Sequence, residues 1–592
     1  MLHDKIKNYG VRMIIICLSM LFLCFYIAKK EGFHVDEVLS FQVGNSEFTP
    51  WIMPAQPVGR LAKFVEEHIE GETIGETVKN IAFIAKDTFQ NRGNSIVAAF
   101  KADVYETPVW ISRDHFKEYL ECDREDAFNL LSVYYNAKDD IHPPLYYMTV
   151  HLMCSLFQGE ITVWHGCVIN MVALAVTLWL LGCIGDMIFR RKSSTIALML
   201  LYAFSTGIIA TALWVRMYAL LTLWLVWLLY LHIRKVTGYR QDGFLRVNKS
   251  GRAKWIGSFG ILIATLATFW TNYFGLFYLI PLAACTFFLL LKEKRTRECL
   301  AYVRTMVTAA VIGLGCFPFA VSDVFSSAFG SNVLSQLEDG ITDYVYRLVK
   351  FGEIVGENVA GGTVFLLAAF LVPLTFAVYG RIKKTDTKEK TNVGGKRWSV
   401  LLCVVPAIVF YLLDAKMSPH FVERYFMPVF PMVALLLVLA WERGLLHILQ
   451  EKPYDVVCVA LACALLIVQL PHRDWKEDYF RTGYKEQLAI AKRYEEYPMV
   501  CMYAGYSLYE NILELQMHEQ SILVQEHELG FLSPAHREVA QNGYMAVIKY
   551  PHMDDKGRAQ LGKIMDAFGG SKVEFLGIGK AYGDAMYLVL PK

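Results

Sequence analysis

The chain has 592 residues, of which 55% are hydrophobic and 19% charged. It is too apolar and too long for one ordinary soluble core, and a mean hydropathy of +0.34 points to lipid as part of its solvent. A formal net charge of +2 gives no reason to invoke a nucleic-acid partner, and the chain reads as a polytopic membrane protein.

The first apolar run, MIIICLSMLFLCFYIA from Met13, follows Lys5, Lys7 and Arg12. No small-x-small cleavage site comes after it, because Ala28 leads directly into Lys29, Lys30 and Glu31. Residues 1–30 are therefore expected to form a retained signal-anchor helix. Residues 31–142 read as a structured extracytoplasmic loop with mixed helical stretches around 58–70 and 113–135. The run from Pro143 to Phe157 is about 15 residues, short for a crossing, and is expected to be re-entrant or interfacial.

Further apolar runs, long enough to cross a ~30 Å hydrocarbon layer, lie near 163–188, 194–213, 216–233, 255–271, 273–291, 301–321, 361–380, 398–413, 425–441 and 455–471. The basic loops Arg190-Arg191-Lys192, Arg234 to Lys254, Lys292 to Arg297 and Arg381 to Arg397 are assigned to the cytoplasm by the positive-inside rule. Trp214-Val215-Arg216, Thr271-Asn272-Tyr273, 322–360 and Asp414 to Glu423 then face outward. Residues 143–471 thus form a multi-helix transmembrane domain, with no paired set of broken helices in two matching halves.

Residues 472–592 alternate strand-like runs (498–502, 521–524, 544–548, 572–576 and 585–590) with helical ones (484–496 and 555–568). That rhythm predicts a small extracytoplasmic α/β domain. It has no glycine-rich phosphate loop, which leaves it a positioning or acceptor-docking role. The 13 cysteines fall mostly inside apolar runs; Cys122 and Cys501 face outward, and neither a disulfide framework nor zinc-type spacing is present.

Ionisable groups collect on the outward side. Asp36 and Glu37 stand adjacent in FHVDEVLSF. Asp139, Asp140 and His142 precede the prolines of DDIHPPLYY, Arg216 sits in ALWVRMYALL, and Asn272 and Tyr273 lie between two apolar runs. His420, Glu423, Arg424 and Tyr425 share SPHFVERYFMPVFP. Charges within a membrane pair with one another or line a wet cavity, so an outward-facing cavity of mixed charge is expected. Pro143 and Pro144 suit a first helical turn, which would point free N–H groups at the aqueous boundary, and Asp140 doubles as an N-cap candidate. His420 and Glu423, three apart, would share a helix face; with His142 and Asp140 they form an alternative divalent-cation set.

FHVDEVLSF, DDIHPPLYYMTVHL, VRMYALLTLW and ERYFMPVFP resemble, in this order, motifs of the GT-C glycosyltransferases. The nearest branch is family 39-like, with the protein O-mannosyltransferases and aminoarabinose transferases. The resemblance spans roughly residues 10 to 470. It implies a polytopic all-α membrane domain with a large first extracytoplasmic loop, and a polyprenyl-phosphate-linked sugar as donor. It places the family's motif aspartate on Asp36, with Glu37 its acidic neighbour, and donor-phosphate arginines on Arg424 and Arg216. Many relatives carry an acid two residues before the arginine of the RMYAL motif, where this chain has Trp214.

The expected activity is inverting sugar transfer to an acceptor hydroxyl at the outer face of the plasma membrane, with no required cofactor. Asp36 would be the base, assisted by Glu37; Arg424 would stabilise the departing phosphate, unless it pairs with Glu423 or another acid. Asp140, His142, Arg216, Asn272, Tyr273, His420 and Glu423 are the further substrate-contact candidates. The acceptor, whether cell-wall polymer, lipid or protein, is open. A lipid or sugar transporter or flippase and a non-catalytic membrane scaffold are the competing readings.

Overall fold

The computed structural model describes residues 2–48, 68–69, 71, 73–91, 108–138, 140–237, 251–325, 340–382, 393–473, 477–503, 509–532, 534–550, 554–579 and 583–591. The helical stretch expected at 58–70 lies almost wholly outside these residues, as does Asp139. The chain divides into two compact units, one of 1–27, 141–146 and 167–476, the other of 28–140, 147–166 and 477–592.

The first unit is a helical membrane domain. Among the described residues of the chain, eight helices are long and apolar enough to span: Tyr9–Ile27, Val163–Ile188, Tyr218–Thr237, Tyr273–Lys292, Thr296–Cys316, Trp398–Met417, Met427–Leu445 and Glu451–His472. The protein is therefore an integral multi-pass membrane protein. Two further runs are broken. Lys192–Ala203 and Thr206–Leu213 meet at 50°, and Ile341–Ala360 and Thr363–Tyr379 meet at 79°. The sequence reads 194–213 as one unbroken run and offers no paired set of broken helices in two matching halves; the structure bends that run and one other.

A break inside a membrane frees backbone groups that water cannot reach, so another part of the protein must bond them. Here one side chain serves both breaks. The Gln469 side chain accepts from the Thr206 N–H at 2.8 Å and donates to the Val359 carbonyl at 3.0 Å. Ser205 caps the Thr206–Leu213 helix through the Ile208 N–H. At the sharper bend Gly361 and Gly362 adopt φ of 79° and 147°, a geometry that favours glycine. Glu442, buried, likewise accepts the N–H groups of Arg190 and Arg191 where the Lys192–Ala203 helix begins.

The second unit contains a six-stranded mixed sheet. Its strands are β1 (Trp110–Ser112), β2 (Met499–Met502), β3 (Gln520–Val524), β4 (Tyr544–Ile548), β5 (Lys572–Ile578) and β6 (Ala585–Leu590), in the order β1-β3-β2-β4-β6-β5. β2 pairs in parallel with β3 and β4; the remaining pairings are antiparallel. Because both faces of the central strands are covered, β2 and β4 are buried at every position. Val500, Ile522, Ala546 and Val589 pack with Ile564 and Phe568 of the Asp555–Phe568 helix. All five strand-like runs after residue 472 are strands, and the sheet also takes in β1 from the first loop. That loop supplies the Arg113–Leu120 and Leu130–Ala137 helices where 113–135 reads as helical. All cysteines, including buried Cys122 and Cys501, are free thiols.

Candidate functional site

The Val35–Asn45 helix starts at Asp36 and Glu37 for a local reason. His34 is its N-cap: its Nδ1 accepts from the Asp36 N–H at 3.1 Å, and the Glu37 carboxylate accepts from the His34 N–H at 2.7 Å. This is a capping box with histidine in the place usually held by serine or threonine. Since Nδ1 accepts, it carries no proton there, and its 3.8 Å approach to Asp36 Oδ2 is no ion pair.

The two acids have different environments. Glu37 is fully buried and takes the ammonium of buried Lys30 at 2.9 Å, while Lys30 also donates to the Tyr479 carbonyl. A buried, doubly bonded carboxylate of this kind holds structure together. Asp36, by contrast, keeps 28% of its side-chain surface in solvent. Asp140 accepts a short hydrogen bond from the Tyr147 hydroxyl, which ties the turn before the prolines to the Leu145–Leu156 helix. At 12 residues that helix is short for a crossing.

In the first unit, the link Trp214 to Met217 joins the Thr206–Leu213 and Tyr218–Thr237 helices. Asn170 donates to the Ala212 and Trp214 carbonyls at 3.2 and 2.7 Å and fixes the link's path. Arg216, buried in the link, donates to His142 Nδ1 across 3.4 Å. A guanidinium can only donate, so His142 meets it as a neutral acceptor. The Arg424 guanidinium lies over the Trp214 ring, 5.5 Å from its centroid, and beside Tyr425 at 5.7 Å. Arg216 thus belongs to this short link, and Arg424 packs over its first residue.

The segment carrying Arg424 is braced from the Ile341–Ala360 helix. Asn358 donates to Glu423 at 2.6 Å, and Phe351 packs on Phe426 with centroids 4.7 Å apart. Buried Arg347 donates to the Ala415 carbonyl at 2.8 Å and to the Ser418 carbonyl, bonding groups left open where the Val393–Met417 helix ends. His420 and Glu423 do not share a helix face. The helix stops at Met417, just ahead of Pro419, and 3-10 turns at Glu423–Tyr425 and Met427–Val429 follow before the Phe430–Leu445 helix. His420 is exposed.

Asn272 and Tyr273 have local structural partners. The Asn272 side chain caps the Tyr273–Gly275 turn through the Phe274 N–H at 2.8 Å, and the Tyr273 hydroxyl donates to buried Asp323 at 2.7 Å. Among the described residues, no group of three or more His, Cys, Asp and Glu side chains is placed to hold a metal ion. His142, Arg216, Asn272, Tyr273, His420, Glu423 and Arg424 belong to the first unit; Asp36, Glu37 and Asp140 belong to the second.

Sequence reasoning passed over Lys30, His34, Asn170 and Asn358. The His34-x-x-Glu37 spacing of a capping box marks His34, and polar amides inside apolar or half-apolar helices mark Asn170 and Asn358.

No protein-family model and no curated protein sequence matches the chain. Among solved structures, the chain is similar to the crystal structure of ArnT from Cupriavidus metallidurans in the apo state. The TM-score is 0.45 at 12% sequence identity, covering 75% of this chain and 87% of that one.

Proposed function

We propose that this protein is a membrane glycosyltransferase of the GT-C type, which moves a sugar from a polyprenyl-phosphate donor to an acceptor hydroxyl on the outer side of the membrane. The observation that carries the reading is the placement of Arg216 in the Trp214 to Met217 link and of Arg424 over its Trp214 ring, within a domain of membrane-spanning helices. Two guanidinium groups, one against the His142 imidazole and one against the Trp214 and Tyr425 rings, suit a lipid-borne phosphate, whose charge grows as the glycosidic bond breaks.

Such a donor already carries its leaving group. What remains is to take the acceptor's proton and hold its oxygen in line with the anomeric carbon, and Asp36 is the base in this reading. Its neighbour Glu37 fixes the helix end from which Asp36 projects, so Glu37 serves by positioning. Asp140 and His142 bracket the entry to the Leu145–Leu156 helix, with His142 steadying Arg216.

The test is transfer from a labelled polyprenyl-phosphate sugar by the purified full-length protein. Asp36→Asn should leave the protein folded and inserted while abolishing product; full activity in that variant would overturn the assignment. Glu37 is a poor test residue, because removing one partner of a buried ion pair costs about 3–5 kcal/mol and would confuse folding with catalysis.

A second reading, lipid or sugar movement across the bilayer, is favoured by one specific observation: two broken helices that share Gln469. Interrupted helices are a common way to build a transport site. Vectorial movement of the labelled lipid in sealed vesicles, without product, would select it.

A further inference from the structure

The Ile74–Asn91 helix of the second unit is amphipathic, yet it presents its apolar stripe outward. Val78, Ile81 and Phe89 are 58%, 50% and 71% exposed, and Ala82 and Ala85 between them are exposed too; Phe83, 68% exposed, stands off this stripe, about 140° round the helix from Val78. Their spacing of three, four and seven residues places them along one side of a helix for about 16 Å. The inward side is the more polar one. Thr77, Asn80, Ile84 and Thr88 are half-buried and Asp87 is buried, and Asn80 donates to the Ile69 carbonyl at 3.3 Å. A helix that hides its polar side and shows its apolar one is built to be covered.

Charge identifies the cover. Lys79 and Lys86, both exposed, flank one edge of the stripe seven residues apart. Glu76 and Asp87 lie about half a turn away from Val78, so no carboxylate faces the sector that the stripe and lysines share. Apolar stripe, lysine edge and distant acids are the pattern of a helix lying in a headgroup layer, its lysine stems along the apolar boundary and its ammonium groups on lipid phosphates. The stripe lacks the Trp, Tyr and Arg anchors that concentrate energy in protein interfaces, where lysine is depleted.

Connectivity supplies the lipid. The chain passes between this unit and the membrane domain at 27/28, 140/141, 146/147, 166/167 and 476/477, so the helix is tethered to the bilayer at high effective concentration. We infer that Ile74–Asn91 docks onto the bilayer surface, with Val78, Ile81, Ala85 and Phe89 in the acyl boundary and Lys79 and Lys86 on anionic headgroups. This is an anchor additional to the spanning helices and independent of the proposed reaction.

The test uses full-length protein in vesicles of phosphatidylcholine and phosphatidylglycerol that contain a phospholipid with a photoactivatable acyl chain, with labelled residues mapped by mass spectrometry. Label on Val78, Ile81, Ala85 or Phe89, with none on Asn80 or Ile84, supports the inference. Label in the spanning helices but none in 74–91 overturns it, as does a cross-link from the stripe to a second copy. In the Ile81→Asp, Phe89→Asp double variant, labelling at Val78 and Ala85 should fall severalfold while that of the spanning helices holds. Undiminished labelling at Val78 and Ala85 in that variant also overturns it.

Discussion

Trp214 is the residue at which this chain departs from the pattern it resembles, and the structure gives the departure a physical content. Where many of the glycosyltransferases whose motifs it resembles carry an acid, the indole ring here lies under the Arg424 guanidinium. An acid would hold the arginine by neutralising it. A ring holds it through its negative face and adds no charge of its own. A cation–π contact is worth about 0.5–2 kcal/mol depending on desolvation. Trp214→Leu should therefore weaken binding of a polyprenyl phosphate by about 2- to 30-fold, and Trp214→Phe should retain most of the affinity, as read by lipid-binding titration. Equal losses in both would assign the residue to packing alone. The candidate arginines and acids were legible because charges are scarce in such a sequence. Their partners were not, since Asn170 and Asn358 reach Trp214 and Glu423 from helices far away in the chain.

At the scale of elements, hydropathy finds apolar length but not direction. The apolar run at 194–213 looks continuous, yet it turns at Phe204 and Ser205, and the run read from 361 is preceded by the Ile341–Ala360 helix, bent from it at Gly361-Gly362. What a hydropathy window cannot register is the long-range bonding that makes a break tolerable. Gln469→Leu removes one partner from each break, leaving the Thr206 N–H and the Val359 carbonyl to find others. With a cost of about 1–3 kcal/mol for each buried group left unbonded, thermal unfolding of the variant in detergent should begin well below that of the parent. An unchanged midpoint would mean the two breaks are bonded by other means. The Ile74–Asn91 helix carried a readable 3.6-residue period, but its mixed polarity set it apart from the long apolar runs that dominate the chain.

At the scale of the whole molecule, the second unit concentrates groups whose protonation is tied to folding. Burial raises Glu514 from its ordinary 4.5 to about 7, and Gln487 donates to its carboxyl at 2.5 Å. Burial, then Glu47, Asp123, Glu118 and Glu125, raise Asp126 to about 6. Between the ordinary and raised values the folded chain keeps protons that the unfolded chain has released, so these two groups lower stability as pH climbs through that window. His518 acts in the opposite sense: burial lowers it to about 4, so its contribution grows as pH rises from there towards 6.5. The informative measurement is a difference. Relative to the parent, Glu514→Gln should gain stability at about pH 8 compared with about pH 5, as followed by hydrogen exchange in the sheet. A pH-independent difference would show that Glu514 titrates alike in the folded and unfolded chain.

The strand-and-helix rhythm after residue 472 could be read directly, because each element there is local. The place of β1 could not, since nothing in a three-residue strand names a partner as distant as Ile522. That distance sets a timetable for biogenesis. Trp110 leaves the ribosome about 400 residues ahead of its partner strand, a wait of roughly 20–80 s at ordinary translation speed. The first loop must therefore stay soluble and unaggregated until nearly the whole chain has followed it, and any pause late in translation lengthens the time for which β3 has no neighbour to offer it.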